Sequence, residues 1–97
     1  MYTVVLKPLA ISMAKDAYNW YEEQKEGFGE LFLKELNRCY VKLEKHPLIY
    51  QKIKKDYRHM VLNTFPYVLV FEIIKTEIVI FAVFHTSKSP KSKFKRK

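Results

Sequence analysis

The residues able to do chemistry concentrate in the second half of the chain, in a basic and aromatic set: Lys52, Lys54, Lys55, Tyr57, Arg58, His59, Tyr67, His85 and Lys88. Cations carried on strands could contact phosphates, while tyrosine or histidine rings stack on bases. The same residues also fit a solvated sheet face whose charges blunt an exposed strand against edge pairing. The pattern leaves both readings open. His85 closes the most apolar strand and precedes Thr86, Ser87 and Lys88. It is either a strand-end histidine bonded to nearby backbone or a general base or phosphate contact, imidazole being suited to proton transfer near neutrality.

Other chemistries lack their residues. The only glycines, Gly27 and Gly29, lie in a polar turn and form no phosphate-cradling loop. His46, His59 and His85, with the single cysteine Cys39, show no metal-ligand spacing, so no metal and no cofactor are expected. No serine sits in a nucleophile-elbow pattern. Cys39 falls on the apolar stripe of a helix, where a free thiol is expected to be core.

The net charge of +8 is unevenly held. Residues 1–48 carry seven basic and seven acidic groups, residues 49–87 five and three, and residues 88–97 six and none. The high isoelectric point therefore reports mainly a basic tail, whose natural partners are anionic. With 97 residues there is room for one domain, expected over 1–87 with the tail at 88–97. The N-terminal MYTVVLKPLA has neither the basic start nor the apolar run of a signal peptide. Residues 65–84 are the most apolar stretch, but Glu72, Lys75 and Glu77 interrupt them, so they read as two strands and not as a membrane span. A cytoplasmic protein with no membrane contact is expected.

These elements must position the candidate residues. Residues 2–7 alternate as a short strand that Pro8 ends. Ala10, Ala14, Ala17, Tyr18 and Tyr21 line one face of a helix over 9–24, with Trp20 beside them. Polar residues 23–29 make a turn. Phe28, Phe32, Leu36, Cys39, Tyr40 and Leu43 make the stripe of a second helix over 29–45, closed by His46-Pro47. The short connection predicts an antiparallel helical hairpin. Strands follow over 49–54 and 57–64, the latter with Arg58, Met60 and Leu62 on one face and His59, Val61 and Asn63 on the other. The strongest strands are 67–74 and 77–84; the two-residue gap at Lys75-Thr76 favours a tight hairpin, though it lacks Asn-Gly chemistry, which leaves room for a longer loop. The fold class is α+β, a two-layer sandwich with the helical hairpin on a twisted antiparallel sheet. The first strand joins at an edge or against a late strand.

Taken in order, Trp20-Tyr21-Glu22 ending an alanine-rich helix, Gly27 and Gly29, Phe32, His46-Pro47, Tyr57-Arg58, Phe65-Pro66-Tyr67, the apolar hairpin, and His85 with Pro90 downstream resemble the RelE/ParE superfamily of bacterial type II toxins. The resemblance implies the same fold and a cognate antitoxin in a toxin–antitoxin hetero-oligomer. The antitoxin's apolar side chains would dock in a groove between helices and sheet, here at Trp20, Tyr21, Phe32 and Leu36.

Two branches differ in mechanism. RelE-type toxins cleave ribosome-bound mRNA through attack of a 2′-hydroxyl on the adjacent phosphate, which needs proton transfer and cations. Laid on this chain, that branch's first basic position matches Arg58, its companion falls on Met60, the next arginine on Val68, the post-strand cation near Lys88 and the C-terminal tyrosine on Phe94. A RelE-like reading would use Arg58, His59, His85 and Lys88. The ParE branch, whose members poison DNA gyrase, resembles the chain more closely through Arg58, Phe65-Pro66-Tyr67 and His85. Contact with gyrase, its DNA or another nucleic acid would then use Lys52, Lys54, Lys55, Arg58, Tyr67 and the tail cations Lys91, Lys93, Lys95 and Arg96. A third reading is a degenerate toxin that only binds its antitoxin.

Overall fold

Pro8 determines where the first helix begins. Its fixed φ and missing N–H suit the first helical position, and α1 runs Pro8–Gln24 directly after strand β1, Thr3–Leu6. α2 spans Phe28–Lys45. Strands β2, Lys52–Lys54, β3, Tyr57–Val61, β4, Tyr67–Ile74, and β5, Glu77–His85, complete the fold, with single 3-10 turns at Pro47–Ile49 and Thr86–Lys88. The computed structural model describes residues 1–88. Lys91, Lys93, Phe94, Lys95 and Arg96 of the expected tail lie outside the described residues.

The five strands form one sheet in the order β1-β5-β4-β3-β2. β2 with β3, β3 with β4 and β4 with β5 pair antiparallel, as expected from their sequence order. β1 joins β5 in parallel, with Val4 opposite Ile78 and Leu6 opposite Ile80, so the sheet is mixed. The helical hairpin and the strands β2, β3 and β4 all lie between β1 and β5, which leaves room for the long crossover that a parallel pair requires.

α1 buries Ala10, Ala14 and Ala17. Their small side chains let its backbone approach the layers beneath. α2 buries Phe32, Leu36, Cys39 and Leu43 at helical spacing. Against them pack Tyr67, Leu69 and Phe71 of β4 and Ile78, Ile80 and Val83 of β5. The other face of these central strands is also buried, at Val68, Val70, Val79 and Ala82. Phe81 is an extra residue between the pairs Val70–Ala82 and Phe71–Ile80, a bulge that turns its ring to meet Tyr57 at 5.3 Å.

The loop between the helices is shorter than expected, because α1 continues through Gln24 and α2 begins at Phe28. Glu22 explains the economy. Its carboxylate accepts the backbone N–H groups of Gly27 and Gly29, both at 2.9 Å, capping α2 from the previous helix. Gly27 takes the left-handed φ of 94°. A Cβ at Gly29 would stand 2.7 Å from the Tyr18 ring. Both glycines are therefore structural.

Two boundaries of the later strands also differ. The strand expected from residue 49 begins at Lys52, because Pro47 opens a 3-10 turn and Arg58 donates to the Leu48 and Tyr50 carbonyls at 3.4 and 2.7 Å. β3 stops at Val61, because Glu35 accepts the amides of Asn63 and Thr64 at 2.9 and 3.4 Å and draws them out of the ladder. The β4–β5 turn holds only Lys75 and Thr76, with Lys75 taking the positive φ of 58° in place of a glycine.

Glu35 is the one buried charged or polar side chain among the described residues, and Arg38 meets its second oxygen at 3.1 Å. Removing it strands two amides near the core. Glu35→Ala is expected to cost about 1–3 kcal/mol in urea unfolding, and a smaller loss would show that the β3–β4 turn holds without it.

Burial and the neighbouring Glu35 push the Cys39 thiol from 9.0 up to about 11, and burial likewise pushes the Tyr40 hydroxyl up to about 12. Both groups ionise first in the unfolded chain, so the stability they hold is complete below pH 9 and lost as pH rises toward their folded values. Unfolding midpoints should fall between about pH 9 and about pH 11, and Cys39→Ala should flatten that fall; an unchanged slope would contradict thiol burial.

Candidate functional site

Four residues of α1, Met13, Asp16, Ala17 and Trp20, follow the i, i+3, i+4, i+7 spacing that puts them along one side of a helix. They face the ends of β4 and β5, where Tyr67 and Val83 form the floor of an open cavity of about 420 Å³ and His85 and Ser87 its rim. The cleft is apolar, with Asp16, His85 and Ser87 at its polar edge.

A chain of rings backs the floor from within the core. Trp20 meets Tyr21 edge-on at 5.1 Å, Tyr21 stacks on Phe32 at 5.5 Å, Phe32 meets Tyr67 at 5.0 Å, and Tyr67 meets His85 at 5.1 Å. Phe65 closes the ring set from the β3–β4 turn, 4.8 Å from Tyr21 and 5.3 Å from Phe32. Such contacts are each worth about 0.5–1.5 kcal/mol beyond area burial, so the floor is rigid. Burial raises the Tyr21 and Tyr67 hydroxyls above their ordinary value, which keeps both neutral hydrogen-bonding groups.

His85 is oriented by its own chain. The Ser87 N–H donates to Nδ1 at 3.1 Å, and the Ser87 hydroxyl lies 2.7 Å from the same nitrogen. Nδ1 is thus an acceptor, which leaves the ring proton of neutral His85 on Nε2. The Thr86 N–H donates to the Pro66 carbonyl at 2.7 Å and ties this rim to the β3–β4 turn. The contact of Ser87 with His85 closes a strand-end turn.

The sequence-predicted residues do not form one site. Alternation along β3 separates Arg58, on the side of core residue Met60, from Tyr57 and His59 on the opposite face. His85 lies opposite Tyr67, a core residue beneath the helices, so His59 and His85 occupy different faces. Lys52, Lys54 and Lys55 lie on and beside β2, at the sheet edge remote from β1. Lys52 pairs with Asp56 at 3.5 Å. Lys88 ends the described segment in a 3-10 turn.

Of the four expected groove residues, Trp20 is 54% exposed and Tyr21 half-buried, while Phe32 and Leu36 are core and offer no surface. Met13, Asp16, Ala17, Phe65, Val83 and Ser87 were not among the expected site residues. The four-residue spacing on α1 was the available signal for the first three. Among the described residues, no group of three or more His, Cys, Asp or Glu is arranged to hold a metal ion. Nor is any helix there long and apolar enough to cross a membrane.

A family model described as the ParE toxin of the type II toxin–antitoxin system, parDE, matches residues 4–90. Among solved structures, the chain is similar to the chromosomal ParDE system from P. aeruginosa, at 16% identity and a TM-score of 0.73 over 88% of this chain and 96% of that one. It is also similar to the isolated E. coli RelE toxin, at 17% identity and a TM-score of 0.67 over 99% of this chain and 98% of that one. At such identities these structures show the shared fold. No curated protein matches the sequence.

The fixed His85 ring is directly measurable. Nitrogen NMR of the neutral imidazole should show an unprotonated Nδ1 and a protonated Nε2, and the opposite tautomer would refute the Ser87 contact.

Proposed function

The chain belongs to the ParE toxin family of type II toxin–antitoxin systems, and on that premise we propose that it is a cytoplasmic inhibitor of DNA gyrase, held inactive by a cognate antitoxin seated in the cleft between α1 and β4–β5. The cleft suits an apolar helical segment, since a helix laid in a groove anchors through residues one turn apart. Trp20 and the ring floor supply the apolar surface, and Asp16, His85 and Ser87 the polar rim.

One observation carries the choice of gyrase over RNA cleavage. Met60 and Val68 stand where the RelE resemblance implies cations, and they are 5% and 6% exposed. Phosphoryl chemistry needs charge aimed at the developing phosphorane, and buried apolar side chains supply none. Arg58, the matching cation on the sheet, is engaged by two backbone carbonyls. In this reading Lys52, Lys54, Lys55 and the tail cations Lys91, Lys93, Lys95 and Arg96 serve contact with the target or its DNA, with salt-sensitive affinity.

Purified toxin should block gyrase supercoiling while leaving cell-free translation intact, and adding the antitoxin should restore supercoiling. Inhibited translation with unaffected gyrase would overturn the assignment in favour of a RelE-like ribonuclease. A protein inert in both assays that still binds its antitoxin would be a degenerate toxin.

A further inference from the structure

Leu48 and Ile49 are the most exposed large aliphatic side chains after Met1, at 63% and 73%. They do not sit on a loose loop. Pro47 is buried beneath them, the Tyr50 N–H bonds to the Pro47 carbonyl, and the Arg58 guanidinium holds the Leu48 and Tyr50 carbonyls from β3. The turn is therefore fixed from both ends while its two side chains face solvent. Rigid display of apolar side chains lowers the ordering cost of binding.

The surroundings carry an excess of positive charge. Residues 45–55 contain Lys45, Lys52, Lys54 and Lys55 and no acid. Arg58 pairs opposite Lys52, which brings β2 and its lysines beside the turn it clamps. Two acids flank this stretch: Glu44 precedes Lys45 on α2, and Asp56 is engaged with Lys52. The surface lies far from the cleft. β2 is the edge strand three places from β5, the strand that carries Val83 and His85 of the cleft.

We propose that Leu48 and Ile49, with Lys45, Lys52 and Lys55 around them, form a second docking surface for an acidic amphipathic protein segment, distinct from the cleft and independent of which target the toxin has. The two aliphatic side chains insert between apolar residues of the segment, and the lysines meet its carboxylates. Charge complementarity at such a rim raises the rate of encounter and selects the partner. A nucleic acid would use the lysines and leave the aliphatic pair idle. Two side chains on a tight turn bury too little apolar area for firm membrane attachment. Arg58 acts here as a positioning residue.

The test uses the full chain and a labelled helical peptide of about fifteen residues, with leucines at i, i+3, i+4 and i+7 and glutamates elsewhere. Binding is read by fluorescence anisotropy. The expected result is binding that weakens about tenfold or more in Leu48→Ser/Ile49→Ser and in Lys52→Glu/Lys55→Glu, and with rising salt, but not in Trp20→Ala. Both double variants change exposed side chains, and the exposed Lys52–Asp56 pair lost in one of them contributes little to stability, so their thermal midpoints should stay close to the parent and separate lost docking from lost folding. A matched peptide with serine for leucine, one with lysine for glutamate, phosphatidylserine vesicles and a single-stranded oligonucleotide complete the set. Absence of peptide binding, equal binding of the serine peptide, indifference to Leu48→Ser/Ile49→Ser, loss in Trp20→Ala, or tighter engagement of vesicles or oligonucleotide through these residues would each overturn the proposal.

Discussion

One carboxylate, Glu35, links the two layers of this protein. It lies in the middle of α2, yet accepts amides from the turn 28 and 29 residues further along the chain. That attachment ends β3 and fixes the path into Phe65 and Pro66. Phe65 then completes the ring set under Tyr21 and Phe32, and the Pro66 carbonyl receives the Thr86 amide that positions the end of β5. The cleft floor and its His85 rim both depend on this route. A neutral side chain would supply weaker bonds, since a charged acceptor roughly doubles a hydrogen bond's strength.

Glu22 does similar work at the other joint, capping α2 across the helical hairpin. The balance of charge in the N-terminal half thus has a structural use, because two of its acids satisfy backbone donors that would otherwise be unpaired. The basic excess is left to β2, the neighbouring turn and the segment beyond. A neutral helical layer beside an apolar cleft, with cations at the far sheet edge, gives the molecule two surfaces of different chemistry.

Much of the fold was legible. Both helices, the order of the strands and the apolar hairpin follow from spacing, because those patterns repeat within a few residues. The boundaries that moved did so where a distant side chain took a backbone group: Arg58 at Leu48 and Tyr50, Glu35 at Asn63 and Thr64, Glu22 at Gly27 and Gly29. The cleft was half legible. Trp20 and Tyr21 stood out by type, but Phe32 and Leu36 looked like equally good groove residues, and only the packing of α2 on the sheet put them inside.

The sequence by itself determined the element order, the class of fold, the partition of charge and the family resemblance, since these rest on local periodicity and composition. Tertiary structure decided that β1 runs parallel to β5, that the Arg58 face of β3 and not the His59 face meets the helices, and that Arg58 is a clamp instead of a free cation. Strand pairing and the satisfaction of buried polar groups are long-range matters. Each depends on which residue a register brings opposite, and no window of neighbouring residues contains that information.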